Sequence, residues 1–178
     1  MLHAVTGGMG VASLNELNKR NMPVMSLTTL ITPEGVLASL KVNGKKQALQ
    51  ELSARAAKIS GLPEREIFDS LLQRERLGST GVGNGVAIPH GKLPKATEIF
   101  GVFARLERPV DFEALDGAPV DLVFLLIAPE TSGADHLKAL SQIARVLRDP
   151  AMTAKLRSLR DPSAIYAVLT QEPASHAA

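Results

Sequence analysis

Fifteen consecutive residues combine an imidazole with unusually bare backbone: Gly78-Ser79-Thr80-Gly81-Val82-Gly83-Asn84-Gly85-Val86-Ala87-Ile88-Pro89-His90-Gly91-Lys92. Backbone with so few side chains can bring several N–H groups close to an anion. His90 sits at its end, held between Pro89 and Gly91, with the positive charge of Lys92 beyond. A free imidazole has a pKa near ~6.5, so around neutral pH one ring nitrogen is available as a nucleophile. Phosphoryl transfer asks for in-line placement and for stabilisation of charge on three equatorial oxygens. Backbone N–H groups across Gly81, Gly83, Asn84 and Gly85 could supply that stabilisation, and a guanidinium would add a planar fork for two oxygens. On these residues alone, a structural turn followed by a surface histidine is an equal alternative.

Three competing chemistries fail on spacing. A Walker-type loop needs Ser or Thr after Gly-Lys and a glycine five positions before the second Gly, but Leu93 follows Gly91-Lys92 and Val86 stands upstream. A dinucleotide fingerprint begun at Gly81 and Gly83 needs Gly or Ala where Val86 stands. A serine elbow is missing because Ser79 directly follows Gly78. Metal binding has little support: of four histidines, His3 and His176 fall in the expected tails, leaving His90 and His136 without a ligand spacing. No metal and no cofactor are expected.

The composition of the 178 residues is that of one globular domain, 45% hydrophobic and 21% charged. A net charge of +2 and 3% aromatics argue against a nucleic-acid partner. The absence of cysteine excludes disulfides and thiolate chemistry and fits a cytoplasmic protein. Met1 to Gly10 does not read as a signal peptide, and the longest apolar run, Leu122 to Ala128, is far short of the roughly 18 residues a membrane span needs.

The elements that must position His90 alternate along the chain. Residues 1–25 read as an arm, 26–172 as the domain and 173–178 as a tail. Ala48, Leu49, Leu52, Ala56 and Ile59 mark a helix stopped by Gly61, and Pro63 opens a second one carrying Ile67, Phe68, Leu71 and Leu72, which Gly78 ends. Val86 to Ile88 reads as a short strand leading into His90, Ile99 to Leu106 as another with a turn at Arg108-Pro109, and Val120 to Ala128 as a strand covered on both faces. Leu137, Leu140, Ile143, Ala144 and Leu147 mark a helix closed by Pro150, and Asp161-Pro162 starts a last helix through Leu169. Interleaved helices and strands predict α/β layering.

Three segments together resemble the enzyme IIA proteins of the phosphotransferase system, in the fructose/mannitol and nitrogen-regulatory branch. They are Leu72-Gln73-Arg74-Glu75-Arg76-Leu77-Gly78-Ser79-Thr80-Gly81, Pro119-Val120-Asp121-Leu122-Val123-Phe124-Leu125-Leu126 and Asp135-His136-Leu137-Lys138-Ala139-Leu140, beside the stretch that ends in His90-Gly91-Lys92. The resemblance spans Leu27 to Leu169 and implies a single α/β domain, a mixed β-sheet flanked by helices. It implies His90 as the phosphohistidine, carrying phosphate on Nε2, with Arg74 as an active-site arginine and His136 as a second histidine beside the first. It further implies a phosphoryl carrier of the nitrogen-regulatory type, charged by an HPr-like phosphocarrier and controlling other proteins by its phosphorylation state. A sugar-specific IIA subunit and a binding module that never takes phosphate are the alternatives. A shallow apolar rim around His90 is expected, with Val82, Val86 and Leu93 as candidates.

Overall fold

The apolar run at residues 122–128 becomes the middle of a six-stranded mixed sheet in the computed structural model, which describes residues 26–171. The expected arm and tail lie outside the described residues. The strands are β1 (Val36–Leu40), β2 (Gly81–Gly83), β3 (Val86–Ala87), β4 (His90–Leu93), β5 (Phe100–Val110) and β6 (Val120–Pro129). The helices are α1 (Lys45–Ser60), α2 (Glu64–Arg76), α3 (Ala134–Arg148), α4 (Pro150–Ser158) and α5 (Pro162–Leu169). The sheet runs β1-β5-β6-β3-β2, and β4 pairs with β6 beyond the end of β3.

Strand β6 is the rack on which the other strands hang. It pairs antiparallel with β5 and parallel with both β3 and β4, from Val86 opposite Leu122 to Leu93 opposite Pro129. Because side chains alternate across a strand, its odd residues Val123, Leu125 and Ile127 meet Leu49, Leu52, Ile67 and Leu71 of α1 and α2. Its even residues Leu122, Phe124 and Leu126 meet Ile143, Leu147, Leu156, Ile165 and Leu169 of α3, α4 and α5. Every side chain from Leu122 to Ala128 is fully buried, which explains why the run lacks alternation in sequence. Each large apolar side chain so buried contributes about 1.5–3 kcal/mol.

Local signals set the helix ends. Gly61 closes α1 in the left-handed region at φ 76°, its N–H on the Ala57 carbonyl. Asp161 caps α5 by accepting from the Ala164 N–H. Elsewhere the structure departs from expectation. Pro150 does not merely close a helix: Asp149 caps, and Pro150 begins, the separate helix α4. Pro63 is the N-cap of α2 rather than its first helical residue. Strand β5 continues through Arg108 and Pro109 to Val110, its register on β6 shifting between Arg105 and Val110 instead of turning. Strand β1, absent from the sequence reading, pairs parallel with β5. Strand β4, also unanticipated, begins at His90 itself.

The approach of α2 to β4 depends on Gly91. A Cβ there would collide with the Ser70 hydroxyl and come within 3.2 Å of the Ser70 Cβ. Gly91→Ala is therefore expected to cost about 1–3 kcal/mol, seen as a lower thermal midpoint in calorimetry. Adding Ser70→Gly should restore part of the loss, whereas an unchanged midpoint in the single variant would show that α2 can yield freely.

Candidate functional site

His90 is tied to the sheet before its ring does anything. It lies opposite Leu126 on β6, and the Leu126 N–H donates to the Pro89 carbonyl at 2.9 Å. Its Nδ1 lies 2.9 Å from the Ile88 carbonyl oxygen. A carbonyl only accepts, so Nδ1 carries the ring proton and Nε2 keeps its lone pair. Toward that lone pair the Nε–H of Arg74 donates at 3.3 Å, while the other arm of the guanidinium donates to the Gly78 carbonyl at 2.9 Å.

His136, in the first turn of α3, faces the same ring with centroids 5.5 Å apart and planes tilted by 54°. It is buried, and its Nε2 has no hydrogen-bond partner. Both imidazoles hold their protons less tightly than a free histidine. For His90 burial is the main cause and the Arg74 charge adds to it, against the Ile88 hydrogen bond and the charge of Glu75. For His136 burial again leads, followed by the neighbouring His90 and Lys92. Near neutral pH both rings therefore favour the neutral form, and the Nε2 of His90 keeps a lone pair free.

Of the residues marked in sequence, the fold brings His90, Arg74 and His136 together. The glycine segment is placed elsewhere. Gly83, Asn84 and Gly85 form the tip of the β2–β3 hairpin, at the opposite end of the strand from His90. Four residues lie between Gly85 and His90, and five extended steps at about 3.3 Å each reach roughly 16 Å. The Asn84 N–H is already donated to Asp116, and the Asn84 carbonyl accepts from Arg157, which also grips both carboxylate oxygens of Asp121. Gly81 pairs opposite Ala87, and its N–H is donated to the Ser79 hydroxyl. The expectation that Gly81, Gly83, Asn84 and Gly85 form the anion cradle is thus corrected. Positive φ at Gly83, Asn84 and Gly85 serves the hairpin turn. Of that stretch, the part that does approach the ring is Gly78, through Arg74.

The expected apolar rim is corrected in part. Val86 and Leu93 are core residues, 1% and 4% exposed, whereas Val82, in β2, is 59% exposed. Two residues absent from that expectation are exposed beside site residues in the chain: Leu77, 85% exposed and next to Gly78, and Leu137, 65% exposed and next to His136.

Sequence reasoning also passed over a buried charge. The Glu75 carboxylate accepts from the Thr80 N–H at 2.9 Å and the Thr80 hydroxyl at 2.6 Å, and pairs with Lys45 at 3.0 Å. The signal was present: Ile67, Leu71 and Glu75 fall at successive i+4 positions, so an acid occupies the next place of a buried stripe.

A mixed sheet with helices on both faces, carrying a histidine, an arginine and a second histidine at one edge, matches a known class. The family described as "Phosphoenolpyruvate-dependent sugar phosphotransferase system, EIIA 2" matches residues 29–172, and the chain belongs to it. Within that family it is of the nitrogen-regulatory type. It is 64% identical over 153 residues to a nitrogen regulatory protein of Bradyrhizobium diazoefficiens, covering 86% of this chain and 100% of that one. The crystal structure of nitrogen regulatory protein IIA-Ntr from Neisseria meningitidis superposes with a TM-score of 0.76 at 34% identity, covering 79% and 97% of the two chains. The fold is shared with mannitol enzyme IIA of Escherichia coli, determined in complex with phosphorylated enzyme IIB, at a TM-score of 0.68 and 19% identity, covering 80% and 100%.

The charge of Arg74 disfavours a proton on His90, so removing it should raise the proton affinity of the ring. Arg74→Gln is expected to move the NMR titration midpoint of His90 upward, toward the ordinary histidine value. A midpoint that stays put would mean that the guanidinium does not face Nε2 in solution.

Proposed function

We propose that the protein takes a phosphoryl group onto Nε2 of His90 from the phosphohistidine of an HPr-like carrier, and controls partner proteins through its phosphorylation state. The observation that carries this reading is the hydrogen bond from Nδ1 to the Ile88 carbonyl, which leaves Nε2 as the free nitrogen beside a guanidinium.

In the step proposed, the Nε2 lone pair of His90 attacks phosphorus in line. The new N–P bond forms as the carrier's N–P bond breaks, and the carrier's imidazole keeps the released electron pair. The transferring group carries its negative charge on oxygens, and the Nε–H of Arg74 turns from the lone pair to one of them. His136 adds a second nitrogen, buried and without a partner, at the N-terminal turn of a helix, where partial positive charge favours an anion. No nucleotide has to be held, because the donor is itself a phosphohistidine.

Leu77 and Leu137 form the apolar ground on which the carrier docks, in a site open enough to admit another protein's side chain. Phosphorylation then adds about −1.5 to −2 charges at His90. A partner that docks there meets a different surface in each state. This reading locates the protein in the cytoplasm with its carrier. The identity with a nitrogen regulatory protein favours control of other proteins over onward transfer to a sugar transporter.

Intact mass after incubation with a phosphoenolpyruvate-charged HPr-type carrier tests the chemistry. One acid-labile phosphoryl group is expected on the wild type and none on His90→Ala, with Arg74→Gln slowed about a hundredfold. A wild type that stays unmodified beside a charged carrier would leave a binding module instead. The docking ground has its own test in Leu77→Asp combined with Leu137→Asp. The carrier concentration for half-maximal rate should rise about tenfold, with the thermal midpoint held because both side chains are exposed. An unchanged concentration dependence would move the docking surface elsewhere.

A further inference from the structure

We infer that Glu75 is a positioning residue for this transfer: its buried carboxylate, neutralised by Lys45, holds through Thr80 the strand path that orients the His90 imidazole and ties that path to the end of α2 that carries Arg74. The inference rests on the reading of His90 as the acceptor.

Arg74 and Glu75 are neighbours in the last turn of α2, about 100° apart around the helix axis. One reaches His90 and the other points into the core. The Glu75 side chain is 2% exposed, and Lys45, which neutralises it, is held in turn by the Phe112 carbonyl at 3.4 Å and lies 5.8 Å above the Phe112 ring. From this residue two paths lead to the same imidazole, one along its backbone and one from its carboxylate. One runs a single residue back along the helix to Arg74, at Nε2. The Glu75 carbonyl also accepts from the Gly78 N–H at 3.2 Å, which sets the Gly78 carbonyl that steadies the other arm of Arg74. The second path runs through Thr80, whose N–H and hydroxyl both bind the carboxylate. The Thr80 carbonyl accepts from the Ile88 N–H at 3.0 Å, and the Ile88 carbonyl holds Nδ1 of His90 at 2.9 Å.

Stability alone does not account for a charge at this place. A buried ion pair is often replaced by apolar residues of similar volume at no loss, and the position continues the apolar stripe of Ile67 and Leu71. A leucine there would fill the space but hold neither donor of Thr80. What the carboxylate adds is a fixed relation between the end of α2, which carries the arginine, and the strand path that carries the histidine. Transfer is sensitive to such relations, since a misplacement of about 1 Å can cost a hundredfold.

The ionisable groups that bear on His90 are Arg74 and Glu75 from α2 and His136 from α3, with Lys92 beside His136. Glu75 and Arg74 act on its proton in opposite directions. The test therefore reads the ring and the reaction together, in the full chain: NMR titration of His90, and single-turnover uptake from a charged HPr-type carrier. Folded Glu75→Gln should show a lower His90 midpoint than wild type, opposite in sign to Arg74→Gln. Its uptake should be slower by about tenfold or more at saturating carrier, with half-saturation unchanged. Wild-type midpoint and wild-type rate in that folded variant overturn the inference. Should Glu75→Gln not fold, the Thr80 variants decide. Slow uptake in Thr80→Val with recovery in Thr80→Ser supports the inference, and a wild-type rate in Thr80→Val overturns it. A wild type that takes no phosphate rejects the acceptor reading. The titration then judges the positioning in Thr80→Val, which removes no charge, a displaced His90 midpoint supporting it and an unmoved one overturning it.

Discussion

The hydrogen bond between Nδ1 of His90 and the Ile88 carbonyl is the contact on which the site depends. It settles the tautomer without any second ionisable group, because a backbone oxygen has nothing to donate. A carboxylate in its place would also orient the ring, but its negative charge would favour the imidazolium and remove the nucleophile near neutral pH. The carbonyl orients at a smaller electrostatic penalty, and burial together with Arg74 keeps the ring neutral. The site is thus a compromise between holding an imidazole still and leaving one nitrogen free.

That contact exists because β6 is long enough to serve two strands in succession. Along one edge it pairs first with β3 and then with β4, and the Ile88-Pro89 step falls between them. Proline donates no ladder hydrogen bond, so a break in pairing suits it. The break lets the Ile88 carbonyl turn to the histidine two residues on, while Pro89 still accepts from Leu126. The opposite edge of β6 is occupied by β5, with Phe103 against Phe124 at a ring separation of 6.4 Å.

Much of this was legible in the sequence. The stripes of α1, α2 and α3, the buried run of β6 and the caps at Gly61 and Asp161 are periodic or local signals, and the fold reproduces them. His90, Arg74 and His136 could be named from the resemblance of three short segments, and the fold brings them to one place. What was not legible needed long-range information. Pairing of β1 with β5 joins residues far apart in the chain, and no local pattern announces it. Whether Pro150 ends one helix or begins the next depends on the Asp149 side chain finding the Ala151 N–H. The glycine stretch misled for a definite reason: freedom at φ is required equally by a tight hairpin and by an anion loop. The occupation of the Asn84 N–H by Asp116 and of the Gly81 N–H by Ser79 separates the two. Glu75 was visible as an acid out of place on an apolar stripe, but its partners lie in α1 and in the strand path.

Strand β4 has β6 on one side, and on its other side lies α2, with the Ser70 hydroxyl donating to the Lys92 carbonyl at 3.2 Å and lying against Gly91. The Lys92 carbonyl and the space over Gly91 are therefore already taken on the side where a further strand would have to add. Recognition at this edge has to run through side chains. A surface that presents side chains and no free strand edge makes no demand on the secondary structure of whatever meets it.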